Sequence, residues 1–216
     1  MPFRMPLAST WRSWCAWSLL CAALLVGFPQ PLRADVMRHC RQLQDPALAI
    51  AACSRLILAD PGSADLHNRR GIAHMRRGQI DRAVADYSEA IRLDPEAPWP
   101  YYNRARALLG KGAYLDAIPD FTEALSRNPQ DALAHNGRGW ALFKLGNLVA
   151  ALEDADQAIA VDPTYAAAYD TRAHIYEAMQ RRDNAVADFR KALALDPQNP
   201  LAHLTRQGLA RLGVAP

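Results

Sequence analysis

Beyond residue 34 the sequence holds only two cysteines, Cys40 and Cys53, thirteen apart. So few, without a two-residue spacing, exclude a cysteine-rich zinc module and a Cys-x-x-Cys redox centre. A Gly-x-x-x-x-Gly-Lys loop for phosphate is absent, and no nucleophile stands beside a base in a recognisable catalytic arrangement. Long hydrophobic runs are scarce too. The most apolar one, AWSLLCAALLVGF at 16–28, falls short of the about 20 residues a membrane span needs. Surplus charge is missing once the first 34 residues are set apart. The chain has 25 Lys and Arg against 22 Asp and Glu, and Arg4, Arg12 and Arg33 precede any acid, so 25 − 3 leaves 22 against 22. Without a basic surplus, nothing directs the chain to nucleic acid or to an anionic membrane surface.

What is present begins with a leader. A basic start, a short apolar segment and Leu32-Arg33-Ala34 before Asp35 have the pattern of a secretory signal peptide. Residues 1–34 are therefore expected to be a signal peptide and the remainder an exported, periplasmic or secreted protein; the alternative is a retained N-terminal anchor. Leu19-Leu20 precede Cys21 where a lipoprotein signal needs a small residue, which argues against lipidation. Cys15 and Cys21 leave with the leader, and an even remaining pair in an exported chain favours a disulfide.

The rest of the sequence is ruled at 34 residues. Pro61, Pro95, Pro129, Pro163 and Pro197 each follow the last by 34, and each is preceded by Asp or Asn. Ala83, Ala117, Ala151 and Ala185 keep the same interval, as do Ala90, Ala124, Ala158 and Ala192. Gly71, Ala105, Gly139 and Ala173 form a third small column, and Tyr87, Phe121 and Phe189 a bulky one, broken by Ala155. A period of this length means stacked helical hairpins, none able to bury its apolar face alone. The first unit predicts helices at about 64–77 and 81–93, separated by Gly78 and ended by the proline column.

These columns, carried by HNRRGIAHMRRGQIDRAVADYSEAIRLDP and its three successors, resemble the tetratricopeptide repeat. The resemblance implies an all-α, right-handed superhelical solenoid. Four repeats are expected at 64–97, 98–131, 132–165 and 166–199, after a degenerate hairpin at 35–63 and before a capping helix at 200–216. Cys40 and Cys53 fall on the columns of His74 and Tyr87. On that register they are expected to staple the terminal hairpin as a disulfide; free buried thiols are the alternative.

Two polar columns keep the ruler. Arg70, Arg104, Arg138 and Arg172 recur beside Asp86, Asp120, Asp154 and Asp188, where the commoner repeat is apolar. An Arg–Asp ladder is the economical expectation, because either charge buried alone is costly; two solvated faces are the alternative. His67, His135 and His203 lie 68 apart, with Tyr101 and Tyr169 between. Two repeats are four helices at about 8–10 Å each, too far apart for one metal ion, so this column is assigned to packing.

The resemblance further implies a concave groove lined by first helices, which binds a protein or peptide client. Carried onto this sequence, its contact positions are Asn68, Ile72 and Met75, then Trp99, Tyr102, Asn103 and Arg106. The later units add Asn136, Trp140, Phe143 and Lys144, then Asp170, His174 and Glu177. Trp99 and Trp140 are expected to share one apolar floor, with amides holding the client backbone; the alternative is that both merely cover neighbouring helices. One subtype of groove in that family clamps a C-terminal carboxylate. Asn103 fits it, whereas Leu133 and Gly137 stand where it needs cations and Ile72 where it needs an amide. The expectation is thus a non-catalytic, monomeric scaffold without cofactor or metal, free of nucleic acid and, once the leader is removed, of membrane. A self-assembling scaffold stacking through its terminal repeats is the rival reading.

The intact mass of the exported protein is expected to match a chain beginning at Asp35. A retained leader, or a lipid on Cys21, would overturn that boundary.

Overall fold

A computed structural model describes residues 30–199 and 202–215. Among these there are eleven α-helices and no strand. A terminal hairpin, α1 (Gln30–Arg41) and α2 (Pro46–Ala59), precedes four more hairpins. These are α3 (Ala64–Arg76) with α4 (Ile80–Leu93), and α5 (Pro98–Gly110) with α6 (Tyr114–Arg127). The last two are α7 (Ala132–Lys144) with α8 (Leu148–Val161), and α9 (Ala166–Ala178) with α10 (Arg182–Leu195). A single helix, α11 (Ala202–Arg211), closes the stack. The helices of the first repeat start and stop within a residue of the expected bounds. At the other end most of the expected leader lies outside the described residues, and α1 runs across the Ala34–Asp35 boundary.

Each hairpin is made locally. At the end of α3 the Gly78 amide donates to the Met75 carbonyl and the Gln79 amide to that of His74, both at 2.9 Å. That double bond set needs a left-handed residue between them, and Gly78, Gly112 and Gly146 supply it at φ 68°, 75° and 82°. In the last repeat the same place is taken by Gln180 at φ 59°, a conformation that costs a side-chain-bearing residue about 1–2 kcal/mol. Asp45 and Asp131 cap α2 and α7 by accepting from two backbone amides each, and Pro98 opens α5 where no amide is needed.

Each hairpin packs on the next, and first helices also touch first helices in series, α1 on α3, α3 on α5, α5 on α7 and α7 on α9. That series places the first helices on the tight inner side of the curve. The small columns are the contact points, fully buried at Ala83, Ala117, Ala151 and Ala185. A methyl added to Gly71 would lie 2.6 Å from the Tyr87 ring, and one added to Gly137 would lie 2.4 Å from Phe121. Where Ala155 interrupts the aromatic column, Ile175 from α9 joins Ala151 and Ala155 in the core.

The Arg–Asp ladder is built in all four repeats. Arg104 donates from Nε and Nη2 to the two oxygens of Asp120, each at 2.7 Å, and Arg138 does the same to Asp154 at 2.8 Å. Arg70–Asp86 and Arg172–Asp188 repeat the fork. Each carboxylate is buried. The remaining guanidinium nitrogen reaches back to the preceding hairpin: Arg70 to Ser54, Arg104 to Ser88, Arg138 to Thr122 and Arg172 to Asp156. Every arginine thus ties both helices of its own repeat to the second helix of the one before. Burial raises the Asp154 carboxyl, but hydrogen bonds from Arg138 and His135 outweigh it and hold the group below its usual range.

The terminal hairpin lacks this clamp. Val36 and Ala52 occupy, 34 residues earlier, the columns of Arg70 and Asp86. Here the Cys40 and Cys53 sulfurs are bonded at 2.05 Å, inside a cluster with Val36, Ala52, Leu56 and Leu66.

The histidine column does more than pack. His135 places Nδ1 3.1 Å from Asp154 and Nε2 3.1 Å from the Pro129 carbonyl. The Tyr169 hydroxyl donates to the Pro163 carbonyl at 3.2 Å, so in two successive repeats a His and then a Tyr holds the proline turn.

Removing the Asp120 carboxylate strands a part-buried guanidinium, and Asp120→Ala is expected to cost about 3 kcal/mol in urea unfolding. Arg104→Leu with Asp120→Tyr should recover much of it, whereas a silent Asp120→Ala would mean the pair carries no stability. Gln180→Gly relieves the one left-handed side chain among the described residues and is expected to add about 1 kcal/mol by the same measurement.

Candidate functional site

The inner face presents the expected groove positions, but in unequal states. Asn68 and Asn103 come together across α3 and α5, with Asn103 Nδ2 donating to Asn68 Oδ1 at 3.0 Å. Part of their amide capacity is spent on each other. The same register is used at the far end, where the Thr205 hydroxyl donates to Asp170 at 2.7 Å. Glu177 is likewise engaged, by Arg211 at 2.8 and 2.9 Å, and that pairing holds its carboxyl below the usual range against a smaller opposing effect of burial.

Tyr102 is buried, 8% exposed, and packs edge-on against Phe121 with ring centres 6.1 Å apart. At Gly137 the Phe121 ring itself fills the space a side chain would need. Burial pushes the Tyr102 phenol upward, against the opposing influence of Arg106. Arg106 itself is exposed, with its guanidinium 5.6 Å from the centre of the Tyr102 ring.

The two tryptophans do not share one floor. Trp99 is 53% exposed and stands edge-on to Tyr102 at 6.3 Å. Trp140 is half-buried in a separate aromatic group, 5.3 Å from Phe143 and 5.9 Å from His174. His174 in turn lies edge-on to Phe189 at 5.0 Å, beneath the groove. Lys144 sits 5.7 Å from the Trp140 ring centre. Ile72 and Met75 are half-buried beside Tyr87.

Asn136 stands between these two aromatic groups. Its Oδ1 is buried without a hydrogen-bond partner, while its side chain reaches the Tyr165 hydroxyl, opposing the rise that burial gives that phenol. Tyr165 escaped the sequence reading because it precedes the first helix of its repeat, outside the family's contact positions. Also missed was the column Ser54, Ser88, Thr122 and Asp156, although it keeps the 34-residue interval; nothing in the family pattern marks it. Gly137 explains in steric terms why no cation stands there: a side chain would displace Phe121.

Among the described residues, no group of three or more His, Cys, Asp or Glu is placed to hold a metal ion. None of the described helices is long and apolar enough to cross a membrane.

Stacked helical hairpins with an inner groove define a helical-repeat interaction fold. Family models described as "TPR repeat" match residues 71–112, and others described as "Tetratricopeptide repeat" match 102–168 and 166–199. The chain belongs to the tetratricopeptide repeat family. No curated protein matches it. Among solved structures it is similar to MamA, at 26% identity and a TM-score of 0.65 over 71% of this chain and 90% of that one. A MamA fragment from Desulfovibrio magneticus gives 0.71 at 20% identity over 79% and 96%. YrrB, described as a TPR protein with an unusual peptide-binding site, gives 0.63 at 22% over 75% and 84%.

Proposed function

We propose that this protein is a non-catalytic scaffold of the periplasm that binds an extended peptide or protein segment along its inner groove. The observation that carries this is the Trp140–Phe143–His174 group: three rings from two adjacent first helices, half-buried on the groove face. Rings already held against each other lose little freedom when a partner covers them, and water leaves an apolar surface on binding. The peptide-binding description of YrrB agrees with this reading. Export is supported by the leader pattern and by the Cys40–Cys53 bond, which persists in an oxidising compartment.

Clients captured from periplasmic extract by the purified chain can be identified by mass spectrometry and their affinities measured one at a time. Trp140→Ala is expected to weaken a groove client roughly thirtyfold, about 2 kcal/mol, with the helical signal and Tm nearly unchanged. His135→Ala, which breaks a turn contact instead, is expected to lower Tm and leave affinity intact. Unaltered affinity in Trp140→Ala would rule this groove out as the working surface.

A further inference from the structure

The N-terminal half of the groove contains a pocket of about 300 Å³ between α3 and α5, lined by Ile72, Met75, Arg76, Tyr87, Asn103 and Arg106. Its floor is apolar and two guanidiniums stand among its walls. Nearby charges are matched within the protein: Arg69 bonds Asp65 at 2.7 Å, and Glu177 is held by Arg211. Arg76 and Arg106 have no such partner. Among the described residues no carboxylate pairs with either, and no acid lines the pocket. Both are nevertheless oriented by neutral contacts. Arg76 donates from Nη1 to the Leu43 carbonyl at 2.9 Å, and Arg106 lies over the Tyr102 ring. Two oriented, uncompensated guanidiniums above an apolar floor are complementary to a carboxylate carried beside an aliphatic group.

Resting on the groove reading above, we propose that this pocket seats an aspartate or glutamate side chain of the client between Arg76 and Arg106. Ile72, Met75 and Tyr87 then take an adjacent aliphatic residue. The source is a side chain rather than a chain terminus, because the groove continues past Arg106 to Tyr102, Asn136 and Trp140, so a bound segment runs through. The pocket also gives the client a direction: the acidic residue lies toward α3, and the part covering Trp140 lies toward α7 and α9.

The test uses the full exported chain and a displayed library of random peptides. Selected sequences are synthesised with a fluorophore and their Kd measured by anisotropy, each also with its acid replaced by the matching amide and with its C-terminus amidated. The expected result is an enriched acid next to Leu, Ile, Val or Met. The amide version should bind about tenfold more weakly or worse, amidation should change nothing, and affinity should fall as salt rises. Arg106→Gln and Arg76→Gln should each weaken the acidic peptide while binding the amide peptide as the parent does. Both side chains are exposed, so circular dichroism should be unchanged, and Arg106→Lys, which keeps charge but loses the fork, should fall between. Peptides that depend on Trp140 but ignore the acid-to-amide exchange would overturn this pocket and leave the groove reading standing. Loss on C-terminal amidation would overturn the side-chain assignment. Failure to select any peptide sensitive to Trp140→Ala would overturn the groove reading and this inference with it.

Discussion

The structure depends on one repeated interaction, the buried fork between a first-helix arginine and a second-helix aspartate. Two parallel hydrogen bonds accept little rotation or slip, so the fork sets the relative height of the two helices more sharply than apolar packing does. The third guanidinium nitrogen then reaches the preceding hairpin through Ser54, Ser88, Thr122 or Asp156. One side chain therefore fixes both the geometry inside a repeat and the step between repeats. A buried ion pair is not in general more stabilising than apolar residues of the same volume, but it is far less tolerant of misregister. In a solenoid whose helices meet largely at buried alanines, where sliding by a turn would still bury methyl groups, that intolerance has structural value.

The terminal hairpin shows what happens without the fork. Its columns hold Val36 and Ala52, and the covalent bond between Cys40 and Cys53 joins the two helices instead. A covalent tie confines the unfolded chain rather than competing with water for hydrogen bonds. A similar substitution of devices appears at Ala155, where the missing ring of the aromatic column is answered from another helix by Ile175.

This economy decides what the groove can offer. Asn68 with Asn103, and Asp170 with Thr205, are partly consumed in joining first helices. Tyr102 is consumed in covering Phe121. What stays open is smaller and more particular: the Trp140 group and the two guanidiniums over Ile72 and Met75. A groove of this kind reads a few side chains rather than a long uniform surface.

The 34-residue columns alone made the helices, their order, the glycine turns and the Arg–Asp ladder legible, because each is set by residues that recur at a fixed interval and act within a repeat or on its neighbour. The joining of Cys40 to Cys53 was legible for the same reason, through register. The states of the groove residues were not. Tyr102 and Trp140 both sit on contact positions, yet one is buried and the other half-open, because the first packs on Phe121 while the second meets Phe143 and His174. Arg69 and Arg106 are alike as letters, and only the presence of Asp65 beside one of them separates a satisfied charge from an available one. Periodicity specifies what every repeat does in common. The site lies in how successive repeats differ, and the meaning of each difference is decided by the neighbour that tertiary packing brings against it.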